Sequence, residues 1–168
     1  MSLANAPRAT LVRRLAAWAY DFLVGLAVYM MAGSLLFGLF TVLVKMGLLS
    51  MGETEHMSDL ITTSPVLSGV NELGKLLAVG YLFVWSWSRS GQTLGMRAWR
   101  IRVQRTDGSL ISTGQGWRRA VYAFGGLANL TLLWDSTLTA LHDRLSGSEV
   151  VQLTLEQNRE LLNNSKLR

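Results

Sequence analysis

The feature that most constrains this chain is a long apolar run near its N-terminal end. Leu15 to Val44 are thirty consecutive residues, and Asp21 is the one charged residue among them. An α-helix needs roughly 20 apolar residues to cross the hydrocarbon core of a bilayer. The run is too long for the apolar part of a signal peptide, and Met30-Met31-Ala32 is a poor cleavage site. The pattern therefore predicts a retained membrane-spanning helix over about residues 15–44.

The composition of the chain favours a membrane protein and excludes several classes of site. Only 16% of its 168 residues are charged, whereas a soluble domain carries about 25%. The absence of cysteine rules out disulfides and thiolate metal sites, and two histidines are too few to predict a histidine-based metal site. The chain lacks a Walker phosphate loop and a G-x-S-x-G nucleophile elbow. We therefore predict no enzyme activity, no metal and no cofactor.

A second spanning helix is predicted over about residues 68–88, after a polar loop. Glu72 and Lys75 are three residues apart near its outer end, so they share a helix face and are expected to pair. The linker that follows alternates apolar and basic residues from Trp99 to Arg105, which predicts a short strand with its arginines turned to water or phosphate. Asp107-Gly108 is a hairpin-turn signal, so the linker is predicted to be β-hairpin-like.

The third apolar stretch is compatible with two structures. Residues 120–134 are fifteen residues without a charge, roughly 22 Å of helix, and they contain Gly125-Gly126. A continuous helix over about 117–141 would span the membrane and leave the C-terminal segment outside. A short, broken or re-entrant membrane helix would return that segment to the inner side, where strands near Ile101 and Val150 could pair. The fold class predicted is therefore an all-α membrane protein with two firm spans and this third element.

The distribution of charge predicts the orientation of the chain. Residues 45–70 carry a net charge of −2, and residues 89–119 carry +6, with seven arginines against Asp107. Arginines also precede the first apolar run. Because basic residues flank spans on the cytoplasmic side, the N-terminus and the linker are predicted to be cytoplasmic, at a bacterial inner membrane. The expected neighbours of the linker are anionic lipid headgroups, and nucleic acid is not an expected partner.

Asp21 is expected to point into protein rather than lipid. Ala17 and Gly25 lie one turn on either side of it, and small residues on one face let another helix approach closely. An ionised carboxylate facing lipid costs on the order of 3 kcal/mol or more. Arg14 is seven residues earlier, so it lies on nearly the same side, roughly 10 Å away along the helix.

Three motifs in this order resemble the RDD family of small membrane proteins, named for one arginine and two aspartates. They are RRLAAWAYD, GQTLGMRAWRIRVQRTDG and LHDRLSGSEVV, and the resemblance extends from about Arg13 to Val151. It implies a cytoplasmic N-terminal tail at 1–13, a membrane domain at 14–151 and a polar C-terminal tail at 152–168, of which residues 158–168 are expected to be frayed. The charged family residues would be Arg14, Asp21 and Asp143. The sequence departs from the family at Met96, where a lysine is common.

The family charges suggest both a structural and a functional hypothesis. Structurally, Asp21 would be bound by Arg144 or by an arginine of the linker, and Asp143 would receive Arg14, which fixes how the helices pack. Functionally, Asp21, with Glu72 or Asp143, would bind a cation or proton. The resemblance implies a part in transport, here of a small cation or solute. Two or three helices are too few to enclose a pathway, so a transporter would be a homo-oligomer or a subunit of a larger complex. The alternative is a non-transporting accessory or assembly subunit of another membrane complex.

Overall fold

The computed structural model describes residues 3–166, with side chains up to residue 163. The helices and strands are α1 (Leu11–Lys45), α2 (Met57–Thr63), α3 (Pro65–Arg89), α4 (Leu94–Ala98), β1 (Ile101–Gln104), α5 (Thr113–Tyr122), a 3-10 helix (Phe124–Leu133, here the 3-10 segment), α6 (Leu141–Ser146), β2 (Glu149–Gln152) and α7 (Leu155–Lys166). The chain divides into two compact units. The first unit is Met1–Leu23 with Leu82–Arg168, and the second is Val24–Tyr81.

Two helices of the described chain are long and apolar enough to cross a membrane. They are α1, with 35 residues, and α3, with 25 residues, and they confirm the helices predicted at about 15–44 and 68–88. At 1.5 Å per residue α1 is about 52 Å long, which exceeds the roughly 30 Å of a hydrocarbon core. A bilayer therefore accommodates only part of α1, and its first turns are free to contribute to the first unit.

The second unit contains the predicted pair of charges on α3. The Lys75 ammonium donates to Glu72 Oε1 at 2.5 Å, which confirms the pairing. From α1, the Tyr29 hydroxyl donates to Glu72 Oε2 at 2.6 Å, and its ring lies 4.5 Å from the Lys75 ammonium. The loop between the two long helices contains a short helix, α2, in which Leu60 and Ile61 are buried.

The first unit is built on a small antiparallel sheet rather than on a hairpin. β1 pairs with β2, with Ile101 opposite Gln152 and Gln104 opposite Glu149. This is the pairing near Ile101 and Val150 that the broken form of the third apolar stretch allows. It corrects the hairpin-like linker, because the turn at Asp107-Gly108 leads into α5 and not into a second strand.

Both faces of β1 are covered, contrary to the alternation in its sequence. All four of its residues are buried, and Arg102 is only 8% exposed, with no hydrogen bond at its Nε. Burial lowers the pKa of Arg102. The prediction that the arginines of this strand face water or phosphate is therefore wrong for Arg102. The core around the strand includes Val103, Val150 and Trp87.

The third apolar stretch is broken, which excludes the continuous helix over about 117–141, one of the two structures that the sequence left open. α5 ends at Tyr122, and the chain turns at Gly125 and Gly126, with φ of 63° and 104°. Glycine adopts these left-handed angles at little cost because it has no Cβ. At Gly126 a side chain would also collide with the indole of Trp18. The broken form that the sequence allowed is the one observed.

The C-terminal segment forms α7, so the frayed end predicted over 158–168 is wrong for residues 158–166, and residues 167–168 lie outside the described residues. Leu161 of this helix packs on a small cluster that includes Leu153. Asn158 is buried and its side-chain oxygen accepts a hydrogen bond from Gln92 at 3.0 Å. Gln92 lies 66 residues before Asn158 in the sequence, so the local pattern of this helix does not reveal the contact that buries it.

Candidate functional site

The first charged cluster of the site is centred on Asp143, which is fully buried on α6. Arg14, near the start of α1, donates to its Oδ2 at 2.6 Å. Arg119 of α5 donates to its Oδ1 at 2.5 Å. The backbone N–H of Ala140 also donates to Oδ2, at 3.1 Å. One carboxylate therefore joins three helices and carries two guanidinium partners.

The two arginines make further contacts that fix the cluster in place. Arg14 Nη2 donates to the carbonyl of Leu138 at 3.0 Å, and Arg119 Nη1 donates to Ser148 Oγ at 2.8 Å. The Arg119 guanidinium also lies 5.3 Å from the ring of Trp87, a cation–π arrangement. Each charge is therefore held by neighbours from different elements.

The electrostatics of the cluster keep Asp143 ionised. Burial alone would raise the pKa of Asp143, but the guanidiniums of Arg119 and Arg14 outweigh it and lower this pKa below its ordinary value. Burial lowers the pKa of Arg119, and the charge of Asp143 opposes that change. An arginine nevertheless keeps its proton at neutral pH. The cluster is thus two cations around one anion.

His142 lies beside this cluster and is neutral. Burial, followed by the positive charge of Arg119, lowers the pKa of His142 to about 3. Its Nδ1 is buried and has no hydrogen-bond partner within residues 3–166. The imidazole therefore adds no third positive charge to Asp143 at neutral pH.

The second cluster surrounds Asp21, which is 6% exposed. The Thr93 hydroxyl donates to its Oδ2, and the backbone N–H of Gly95 donates to its Oδ1 at 2.8 Å. Thr93 is also the N-cap of α4 and accepts from the N–H of Met96. A side chain at residue 95 would meet the carbonyl of Ala17 and the Asp21 carboxyl. Glycine is therefore what allows α4 to lie against α1.

The two aspartates differ in how their charge is compensated. Asp143 has two guanidinium partners, whereas no basic side chain in the described part of the chain forms an ion pair with Asp21. Both oxygens of Asp21 accept from neutral groups.

Arg144 does not bind Asp21, so that predicted clasp is wrong. Arg144 pairs instead with Asp135, and its side chain is 59% exposed. Adjacent residues of a helix point about 100° apart, so α6 turns Asp143 inward and Arg144 outward. The linker arginines do not pair with Asp21 either. By contrast, the structure does bring Arg14 and Asp143 together.

Glu72, the other predicted acid, is engaged within the second unit by Lys75 and Tyr29. Among residues 3–166 there is no group of three or more histidines and acids that could hold a metal ion.

Three residues of the site, Arg119, Thr93 and Gly95, are not predicted by the sequence patterns. Arg119 was counted with Arg118 as a flanking charge, and nothing in the spacing links it to Asp143. Thr93 and Gly95 carry no charge, so a search for a cationic partner of Asp21 passes over them. A signal existed for Thr93, because a threonine before an apolar helical turn is a typical N-cap.

Comparison with known proteins identifies the family of the chain. The family model described as the RDD family matches residues 8–147, a range that includes Arg14, Asp21 and Asp143. No curated protein and no solved structure matches the chain. The match covers most of the chain, and the chain therefore belongs to the RDD family.

Proposed function

We propose that this membrane protein takes part in the transport of a small cation, such as a proton, or of another small solute, without enzymatic chemistry. Asp21 is the residue that binds the cation. The single observation that carries the proposal is that Asp21 is buried in a candidate spanning helix with only neutral hydrogen-bond donors.

The chemistry of Asp21 suits a binding role better than that of Asp143. A carboxylate removed from water needs a positive charge or a full set of hydrogen bonds to remain ionised. Asp143 has its positive charges already in Arg14 and Arg119. At Asp21 a bound cation or proton would supply the positive charge that no basic side chain of the described residues provides. Ionisable groups inside membrane segments commonly mark such pathways.

A transporting form of this chain is an oligomer or part of a larger complex. Only two helices of the described chain are long enough to span, and two helices do not enclose a passage through a bilayer. Large apolar side chains remain exposed along α1 and α3, Leu23, Leu35 and Leu76 among them, and they provide surface for lipid and for neighbouring helices.

The cytoplasmic side of a bacterial inner membrane is the proposed place of the sheet, the linker and the closing segment. The pairing of β1 with β2 and the bridge between Arg8 and Val151 support a common side for the N-terminal, linker and C-terminal segments. The net charge of +6 over residues 89–119 supports the cytoplasmic side. Anionic headgroups are the proposed neighbours of the linker.

The test is ion flux in proteoliposomes that contain the purified chain, its Asp21→Asn variant or its Asp107→Asn variant. Asn keeps the shape of Asp21 but removes its negative charge. We expect flux from the unmodified chain, loss of flux in Asp21→Asn, and retention in Asp107→Asn, which removes the same charge from an exposed turn. Near-ultraviolet circular dichroism establishes that all three proteins are folded. Equal flux from all three would contradict the role of Asp21.

An accessory role is the second candidate, and the Asp143 cluster favours it. Two of the three family charges, Arg14 and Asp143, are fully engaged in holding helices together, as expected of a structural subunit. This candidate predicts no flux from any variant and a stoichiometric membrane protein that co-purifies in mild detergent. A chain that is strictly monomeric in detergent would count against transport.

A further inference from the structure

We propose that the 3-10 segment lies in the interfacial layer of the bilayer, parallel to the membrane surface, and that lipid covers its apolar side chains. The proposal rests on the membrane placement given above, and it adds a specific lipid-contacting surface on the first unit. In this placement lipid covers an apolar face that no other part of the described chain covers.

The exposed face of this segment is unusually apolar. Phe124 is 62% exposed, Leu127 66%, Leu133 62% and Trp134 83%. No charged residue lies between Ala120 and Trp134. A contiguous exposed patch of large apolar side chains marks a surface that contacts a membrane or another protein.

The segment is too short and too bent to cross the bilayer. Ten residues of 3-10 helix rise about 20 Å, against roughly 30 Å of hydrocarbon. Its N-terminal end is broken by left-handed angles at Phe124, Gly125 and Gly126. The segment therefore contacts one leaflet of the bilayer and does not cross to the other.

Both ends of the segment are held in the first unit. Before it, Arg119 on α5 is bound to Asp143 on α6. After it, the Thr131 hydroxyl accepts from the N–H of Leu141 at 3.0 Å, and the carbonyl of Leu138 accepts from Arg14. The segment is therefore fixed at both ends by contacts within the first unit.

A bilayer, rather than a protein, is favoured by the contact with α1. The indole N–H of Trp18 donates to the carbonyl of Gly125 at 2.8 Å. Trp18 is 41% exposed, lies in a candidate spanning helix, and contacts the ring of Phe22, which is 54% exposed. The apolar face is thus continuous with side chains of α1 that would face lipid. Tryptophan is enriched at the level of the headgroups, which is the depth this contact gives to the segment.

The charges near the segment fit the same placement. The first acid after the apolar stretch is Asp135, which pairs with the exposed guanidinium of Arg144. The N–H of Thr137 also donates to Asp135. This polar group adjoins Trp134 and would mark the boundary with water, as amphipathic elements at interfaces have a charged side and an apolar side.

The absence of native cysteine allows a direct test by single spin labels in proteoliposomes. Leu127→Cys and Leu133→Cys place a nitroxide on the segment. Leu35→Cys places one on α1 within its apolar run, and Thr106→Cys places one in the exposed turn after β1. Accessibility to oxygen, which concentrates in lipid, is compared with accessibility to a water-soluble nickel chelate. Binding to vesicles is established for each labelled protein by flotation.

We expect residues 127 and 133 to report similar shallow depths, about 5–10 Å below the headgroup boundary. Residue 35 lies about 25 Å further along α1 than Trp18, so its label should be in the hydrocarbon, and the label at residue 106 should be in water. Labels at 127 and 133 that are in water, that are shielded from both reagents by protein, or that lie in opposite leaflets would each overturn the interfacial placement. A label at residue 35 that is in water would instead refute the spanning helix, and with it the proposed membrane function.

Discussion

Removing the charge of Asp143 should destabilise the first unit strongly. In Asp143→Asn the side chain keeps its volume and one acceptor oxygen, but Arg14 and Arg119 lose their counter-charge. Both guanidiniums are almost fully buried, with side-chain exposures of 3% each. The substitution therefore leaves two cations away from water with no anion beside them.

The expected loss follows from this burial. Breaking a buried ion pair by removing one partner costs about 3–5 kcal/mol, because an unpaired charge remains in the interior. Asp143 serves two cations, so the upper part of that range is expected. For a chain of this size each kcal/mol lowers the melting temperature by about 2–4 °C. The contribution of Asp143 is fully present at pH 7, because its pKa is lowered in the folded state and the benefit disappears only below the ordinary value of about 3.9.

The assay is urea unfolding of the detergent-solubilised protein at pH 7, followed by near-ultraviolet circular dichroism. Trp87 is a suitable reporter because the Arg119 guanidinium lies over its ring. Asp135→Asn is the matched control, since it removes the same charge from a pair whose arginine is exposed. Equal losses in Asp143→Asn and Asp135→Asn would refute the reasoning, because they would mean that burial does not decide the cost.

Two further predictions concern neutral neighbours of the charged clusters. As the pH falls from 6 to 4, the unfolded chain gains a proton at His142 that the folded chain does not, since its pKa is lowered from 6.5 to about 3. Because of this group, the free energy of unfolding should therefore fall by about 1.4 kcal/mol for each pH unit. His142→Gln should remove that slope and His56→Gln should keep it. The reverse result would contradict the burial of His142. Gly95→Ala should cost about 1–3 kcal/mol by forcing α4 away from Asp21. Gly114→Ala, which meets nothing within 4 Å, should be neutral or stabilising in the same urea assay, and equal effects of the two alanines would contradict the close contact at residue 95.

The long helices and strand β1 were predictable because the signals that specify them are local. An uncharged run predicts a span, alternation predicts a strand, and two adjacent glycines raise the alternative of a break. The pair Glu72–Lys75 was predictable for the same reason, since residues three apart on a helix always share a face.

The partners of the buried charges were not predictable, because they depend on which face each short helix presents. Arg144 and Asp143 are adjacent, and only the orientation of α6 decides which of them is buried. The partner of Asp21 is partly a backbone N–H, which every residue has and which no sequence pattern distinguishes. Leu161 of α7 packs on a cluster that includes Leu3 and Leu153, and Leu3 comes from the opposite end of the sequence.

The closing position of Asp143 in the chain has a consequence for biosynthesis. Synthesis runs from the N-terminus, so α1 is made well before residue 143, and Arg14 must first be accommodated without its anion. During that interval water can solvate the Arg14 guanidinium. Closure of the first unit is therefore a late event, and a nascent chain stalled before α6 lacks both ion pairs of Asp143.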